Sequence, residues 1–182
     1  MGNMSNTEEQ YLKIISKCRE IFLKKDEDYG SSWTIMRTSS FTDQILIKAK
    51  RIRNIQETNQ NIIGDSQEDE FGGIINYCIM AMIVASESPN TNSNLKSSQL
   101  IDWHKRYSDE TFDLMKKKNT DYGEVWRDMR VSSMTDLILS KLLRIKQIED
   151  NGGKTEVSEG SYSNYQDIMN YAIFCIIKLR EN

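Results

Sequence analysis

A polar self-match constrains this chain more than any other feature of it. Residues 24–56 and 117–149 align at a constant offset of 93, and eighteen of the thirty-three positions are identical. The agreement extends to charged side chains: Lys25 with Lys118, Asp28 with Asp121, Arg37 with Arg130, Asp43 with Asp136, Lys48 with Lys141 and Arg51 with Arg144. A duplicated fold needs only its apolar pattern and volume to agree, because cores tolerate exchange of one hydrophobic residue for another. Shared polar residues need a further reason, either a contact made twice or a binding site built twice.

The repeat divides the chain into residues 1–86, a polar linker 87–98 that carries the only proline, Pro89, and residues 99–182. A half of that length is marginal as an independent core, so the halves are expected to pack face to face about a pseudo-twofold. With one proline and little β-branched alternation, helix is the default. Residues 7–25 and 98–118 carry apolar side chains at three- and four-residue spacing, the stripe of an amphipathic helix. Both should stop just before Tyr-Gly, where Gly30 and Gly123 can take the left-handed conformation that ends a helix. Ser40 and Ser133 read as N-caps of the second helices, with Asp43 and Asp136 in the capping-box position; these helices run to about 57 and 150. The third helices, near 70–85 and 163–179, are apolar on almost every side and belong in the centre. The expected fold is an all-α, six-helix body.

Charge and composition remove several classes of function. The formal net charge of −3 provides no basic field for duplex DNA. Cys18, Cys78 and Cys175 are odd in number and lie in apolar runs, as buried reduced thiols of a cytoplasmic protein would. The first ten residues lack the apolar stretch of a secretory signal, and Gly2 alone is weak ground for lipidation. The run 74–85 is too short to span a membrane and is broken by Asn76. His104 is the only histidine, which argues against histidine metal sites and protease-type triads. If the chain is an enzyme, carboxylates with a hard metal such as Mg²⁺, helped by Lys and Arg, are the obvious tools.

Asp136, Lys141 and Arg144 fall within an arc of roughly 140° on one helix. An acid and two bases so placed could grip a nucleotide, or could cap the helix and form a solvated face. Asp-Tyr-Gly followed by Trp, at 28–33 and 121–126, is either a helix end with a tryptophan plug or a place where an aromatic ring meets a base beside Lys25 or Lys118. Asp167 begins an apolar helix and needs a partner there, a cation or a metal. At an offset of 94, Asn170 and Tyr171 match Asn76 and Tyr77, whereas Asp167 faces Gly73. Glu159 lies eight residues before it. One competent site, dominated by the second half, is the expectation.

The segments KKNTDYGEVW (117–126), SSMTDLILSKLLRI (132–145), VSE (157–159) and YQDIMNYA (165–172) resemble the nucleotide modification associated domain family, once catalogued only as a domain of unknown function. The tandem arrangement is similar to that of bacterial members. The resemblance implies a link to modified nucleotides. The helical layout also resembles the all-α nucleoside triphosphate pyrophosphohydrolases of the MazG-like type, which hold Mg²⁺ on E-x-x-E and E-x-x-D carboxylates. Here no clear E-x-x-E precedes the second helix, and the last motif is D-x-x-N. The implied function is Mg²⁺-dependent nucleotide binding or pyrophosphohydrolase-like hydrolysis. In that reading Glu159, Asp167 and Asp136 gather the metal, while Lys118, Arg130, Lys141 and Arg144 neutralise phosphates. Asp121 lines the phosphate side, and Tyr122 and Trp126 hold the base. The alternatives are a non-catalytic nucleotide-binding accessory and a structural helical interaction domain. The partner expected is a nucleotide or nucleoside triphosphate, with no duplex DNA and no membrane; a homodimer is a candidate assembly.

Overall fold

Each repeat of the computed structural model contributes three long helices and a short 3₁₀ turn. The structure describes residues 5–89, 95–156 and 159–181; Gly2, the middle of the linker and the first two residues of the VSE segment lie outside these. The helices are α1 (Asn6–Tyr29), α2 (Thr38–Thr58), α3 (Gln67–Glu87), α4 (Ser97–Tyr122), α5 (Val131–Asp150) and α6 (Ser161–Glu181). The 3₁₀ turns, Ser32–Ile35 and Val125–Asp128, follow α1 and α4. No strand occurs among the described residues.

The hydrophobic pattern positions the elements. In α3, Ile74, Ile75, Cys78, Ile79, Met82 and Ile83 are all fully buried, as are Ile168, Met169, Ala172, Ile173 and Cys175 in α6. A helix apolar on all sides needs neighbours on all sides. Accordingly α3 and α6 pack on each other, α2 lies on α3, α5 lies on α6, and α2 meets α5. The single-striped helices α1 and α4 lie outside, each touching the other and both central helices. Cys18, Cys78 and Cys175 are free and buried within this core. Burial pushes all three thiols up, Cys18 to about 12, so they stay un-ionised near neutral pH. Among the described residues no helix is long and apolar enough to cross a membrane.

The first helices run through their tyrosines and end at the glycines, with φ of 69° at Gly30 and 64° at Gly123. Ser40 and Ser133 are not caps. The chain turns helical earlier, leaving the extended Arg37 and Arg130 as the last residues outside α2 and α5. The serines therefore sit inside the first turn, where they cannot act as N-cap residues. Asp43 and Asp136, freed from capping, tie the repeats together. Asp43 accepts from Lys146 at 2.6 Å, and Asp136 faces Arg53 at 3.6 Å. Arg53 and Lys146 are themselves 93 residues apart, so one contact is the image of the other. Asp136 is thus held at the α2–α5 seam.

Two buried asparagines make a second exchange. Asn76 donates to the Cys18 carbonyl (2.9 Å), and its Oδ1 meets His104 Nε2 at 3.0 Å. Asn170 donates to the Thr111 carbonyl (3.4 Å), and its Oδ1 accepts from the Tyr11 hydroxyl at 2.7 Å. Cys18 and Thr111 correspond in the repeat, as do Tyr11 and His104. Each asparagine therefore holds its own repeat's first helix by the carbonyl and receives a donor from the other repeat's. Buried amides need such partners. Here they also fix the two halves in register.

Candidate functional site

The end of α4, the 3₁₀ turn after it, α5 and α6 surround a hollow of about 310 Å³ in the second repeat. A second hollow, of about 470 Å³, lies in the first repeat. All twelve residues that line the former have their repeat counterparts among those that line the latter. Lys118 answers to Lys25, Tyr122 to Tyr29, Trp126 to Trp33, Lys141 to Lys48, Asn170 to Asn76 and Tyr171 to Tyr77. The protein builds the same cavity twice.

In the second repeat the cavity contains an ion triad. Asp167, 10% exposed at its side chain, accepts from Lys118 Nζ at 2.6 Å and Lys141 Nζ at 2.8 Å. Partial burial lowers the Lys118 pKa, but the Asp167 carboxylate, with Glu159 also in Coulombic reach, more than offsets it, so the ammonium titrates above the usual lysine range. Lys141 also lines an adjoining open groove with Arg144, Lys154, Glu156 and Glu159. Lys141 is therefore the shared wall that puts Lys118 and Asp167 on one side and Arg144 and Glu159 on the other. Among the described residues Arg144 makes no ion pair. Its counterpart Arg51 makes two, with Asp65 at 3.0 Å and Glu70 at 2.7 Å.

The aromatic residues divide. Tyr122 is 71% exposed at the hollow. Trp126 is buried, with its ring stacked on Phe174 at 4.2 Å and 3° and the Arg127 guanidinium 4.4 Å from its ring centre. Only 4% of Trp126 is exposed, so neither face of it is open to a base. Its indole N–H, like that of Trp33, is buried without a hydrogen-bond partner among the described residues. A paired orphan of this kind, on equivalent walls of equivalent cavities, is rare in a folded interior.

Three expected site residues lie elsewhere. Asp136 pairs with Arg53 at the α2–α5 seam, because the helix register turns it towards the other repeat. Arg130 serves with its backbone as the residue before α5, and Asp121 is exposed on the last turn of α4; neither lines the hollow or the groove. Among the described residues no three His, Cys, Asp or Glu side chains gather into a metal-holding group. The carboxylates around Lys141 are Asp167 in the hollow and Glu156 and Glu159 in the groove. Both oxygens of Asp167 already accept from ammonium groups. These residues fit Mg²⁺ only in company with a phosphate chain, which would take over the lysines and complete the oxygen shell.

Sequence reasoning undervalued the first repeat. Glu70 stands where the second repeat has Asn164, one helical turn before Gly73, and receives both Lys48 (3.4 Å) and Arg51. The acid absent at Gly73 has moved one turn. The signal was present in the alignment at offset 94 as a paired exchange, Glu70/Gly73 against Asn164/Asp167.

The sequence profile of nucleotide modification associated domain 1 matches twice, over residues 25–84 and 118–179. The chain belongs to that family. No curated protein and no solved structure matches it. The two nucleotide modification associated domains begin at Lys25 and Lys118, so the lysines of the paired cavities mark the start of each matched unit.

Proposed function

We propose that this protein binds a nucleotide in the groove and hollow on either side of Lys141. Phosphate oxygens take Arg144, Lys141 and Lys118, and the ring lies against Tyr122. One observation supports this above the others: Lys141 joins a groove lined by Arg144 and Lys154, of which Arg144 makes no ion pair among the described residues, to a cavity in which a carboxylate already sits between two ammonium groups. The Lys118–Asp167–Lys141 triad carries one net positive charge. A phosphate can replace Asp167 as acceptor for the lysines without leaving a cation bare, and charge-assisted bonds of this kind are the stronger class. Where the ligand brings Mg²⁺, Asp167 and Glu159 would supply oxygens to it, and the metal would withdraw charge from the phosphates. The family's link to modified nucleotides agrees with this reading.

Titration calorimetry with ribo- and deoxynucleoside triphosphates, with and without Mg²⁺, tests it. Arg144→Gln should weaken binding about tenfold or more, the scale of one charge-assisted bond. Unchanged affinity in that variant would remove the groove from the site. Pyrophosphohydrolase-type turnover is the second reading, favoured by the carboxylates flanking Lys141; release of pyrophosphate from any triphosphate would establish it over binding alone.

A further inference from the structure

The equivalent helices α3 and α6 each carry an acid shared by two cations, but the two acids stand one helical turn apart. In α3 it is Glu70, 4% exposed, which accepts from Lys48 at 3.4 Å and from Arg51 at 2.7 Å. In α6 it is Asp167, which accepts from Lys118 and Lys141. That turn decides which cation is left over. An acid at the fourth residue of the helix reaches the arginine of the helix before it, whereas an acid at the seventh reaches the lysine near the end of α4. The fourth residue of α6 is Asn164. Its amide donates to the Gly160 carbonyl at 2.9 Å, and Arg144 lacks the partner that Arg51 has.

From this exchange we infer that Asn164 is the residue that lets the second-repeat groove take an anion, and that Glu70 denies the same role to the first repeat. The inference rests on the nucleotide-binding reading above and adds to it the determinant of which repeat binds. Lys141, Arg144 and Asn164 line one groove. A carboxylate at 164 would therefore stand against both cations, as Glu70 stands against Lys48 and Arg51. A neutral amide in that place brings no competing charge. The other acids of the groove differ in kind. Glu156 and Glu159 are exposed and make no ion pair among the described residues, and solvent and salt screen exposed charges far more than a buried one. Asp65, the second partner of Arg51 at 3.0 Å, has Glu159 as its counterpart at an offset of 94. A nearly buried carboxylate bonded to a guanidinium is a strong internal ligand, which an incoming phosphate would have to displace from Arg51. Arg144 carries no such partner among the described residues. The ligand class that fits is a polyphosphate chain, with one phosphate for the Arg144 guanidinium and the next for Lys141.

Calorimetry on the full chain with inorganic tripolyphosphate and the four deoxynucleoside triphosphates tests this. The wild-type chain should bind one equivalent of tripolyphosphate. Asn164→Glu and Asn164→Gln introduce side chains of one shape that differ in charge. The Glu variant should lose about tenfold or more in affinity for every probe, while the Gln variant keeps the wild-type affinity. A purely structural role for Asn164 would move both alike. Asn164→Asp, which changes almost no volume, should share the loss and decides the case in which Asn164→Glu fails to fold. Acidic variants that bind as tightly as Asn164→Gln, or acidic and neutral variants weakened equally, overturn the inference; where Arg144→Gln still weakens binding, the groove reading outlives it. Two equivalents bound by the wild type also overturn it, because the first repeat would then bind despite Glu70. Binding that Arg144→Gln leaves untouched, or a wild-type chain that binds no probe, sinks the groove reading and the inference with it.

Discussion

Asp167 and His104 are the side chains whose surroundings make the sharpest demands. Asp167→Asn removes the charge that two lysines share in a partly enclosed cavity. Because Lys118 is 46% exposed at its side chain, solvent softens the loss, and urea unfolding should show a cost of about 1–3 kcal/mol. Stability within error of the wild type would mean that the triad does not hold the fold. His104 is buried, and desolvation, with the Arg19 guanidinium beside it, lowers its pKa from 6.5 to about 3. The folded state therefore binds fewer protons at this site than the unfolded state between those values. Stability from His104 is complete above about pH 6.5 and falls as the pH drops towards 3, with a slope of at most about 1.4 kcal/mol per pH unit. As the only histidine, it has one imidazole signal in an NMR titration, and a midpoint near 6.5 in the native protein would contradict the burial. The three thiols should likewise resist a thiol reagent until the protein unfolds.

Helix ends and helix seams explain part of the repeated polar sequence, Gly30/Gly123 and Asp43/Asp136 among it. Gly123→Ala places a side chain at φ 64°, a left-handed position, and should cost about 1 kcal/mol by thermal denaturation. Asn170→Ala leaves the Tyr11 hydroxyl and the Thr111 carbonyl without their partner, an expected loss of about 1–3 kcal/mol in the same assay. Six helices, their order and the central place of α3 and α6 could be read from apolar spacing, because burial on one side or all sides is written directly into the sequence. The starts of α2 and α5 could not. A Ser with an acid three residues on resembles a cap locally, and only the 3₁₀ turn around Trp33 and Trp126 reveals that the helix has already begun. The geometry of the candidate site was legible in part: Lys118, Lys141 and Asp167 meet, and Arg144 and Glu159 line the adjoining groove. Asp136 misled because a helical arc shows which residues share a side, not which neighbour that side faces.

The whole molecule depends on contacts that cross between repeats. Asp43 reaches Lys146, Asp136 faces Arg53, Tyr11 reaches Asn170 and His104 reaches Asn76. A fragment of residues 95–182 would leave the α3-facing side of α6 in water. Circular dichroism and analytical ultracentrifugation should find it either unfolded or paired with a second copy of itself; a cooperatively folded monomer would contradict the division of labour described here. Larger relations of this kind escaped the sequence reading, since the partner of a repeated residue can lie in either copy. The start of α1 and the end of α6 also lie together: Gln10 donates to Glu181 at 2.9 Å. This places them much as the linker places α3 and α4. A polar segment joining them would close the polypeptide into a ring, and a new opening at the present linker would reverse the order of the halves. Which repeat is written first is thus a matter of where the ring is cut, and the architecture would survive the exchange.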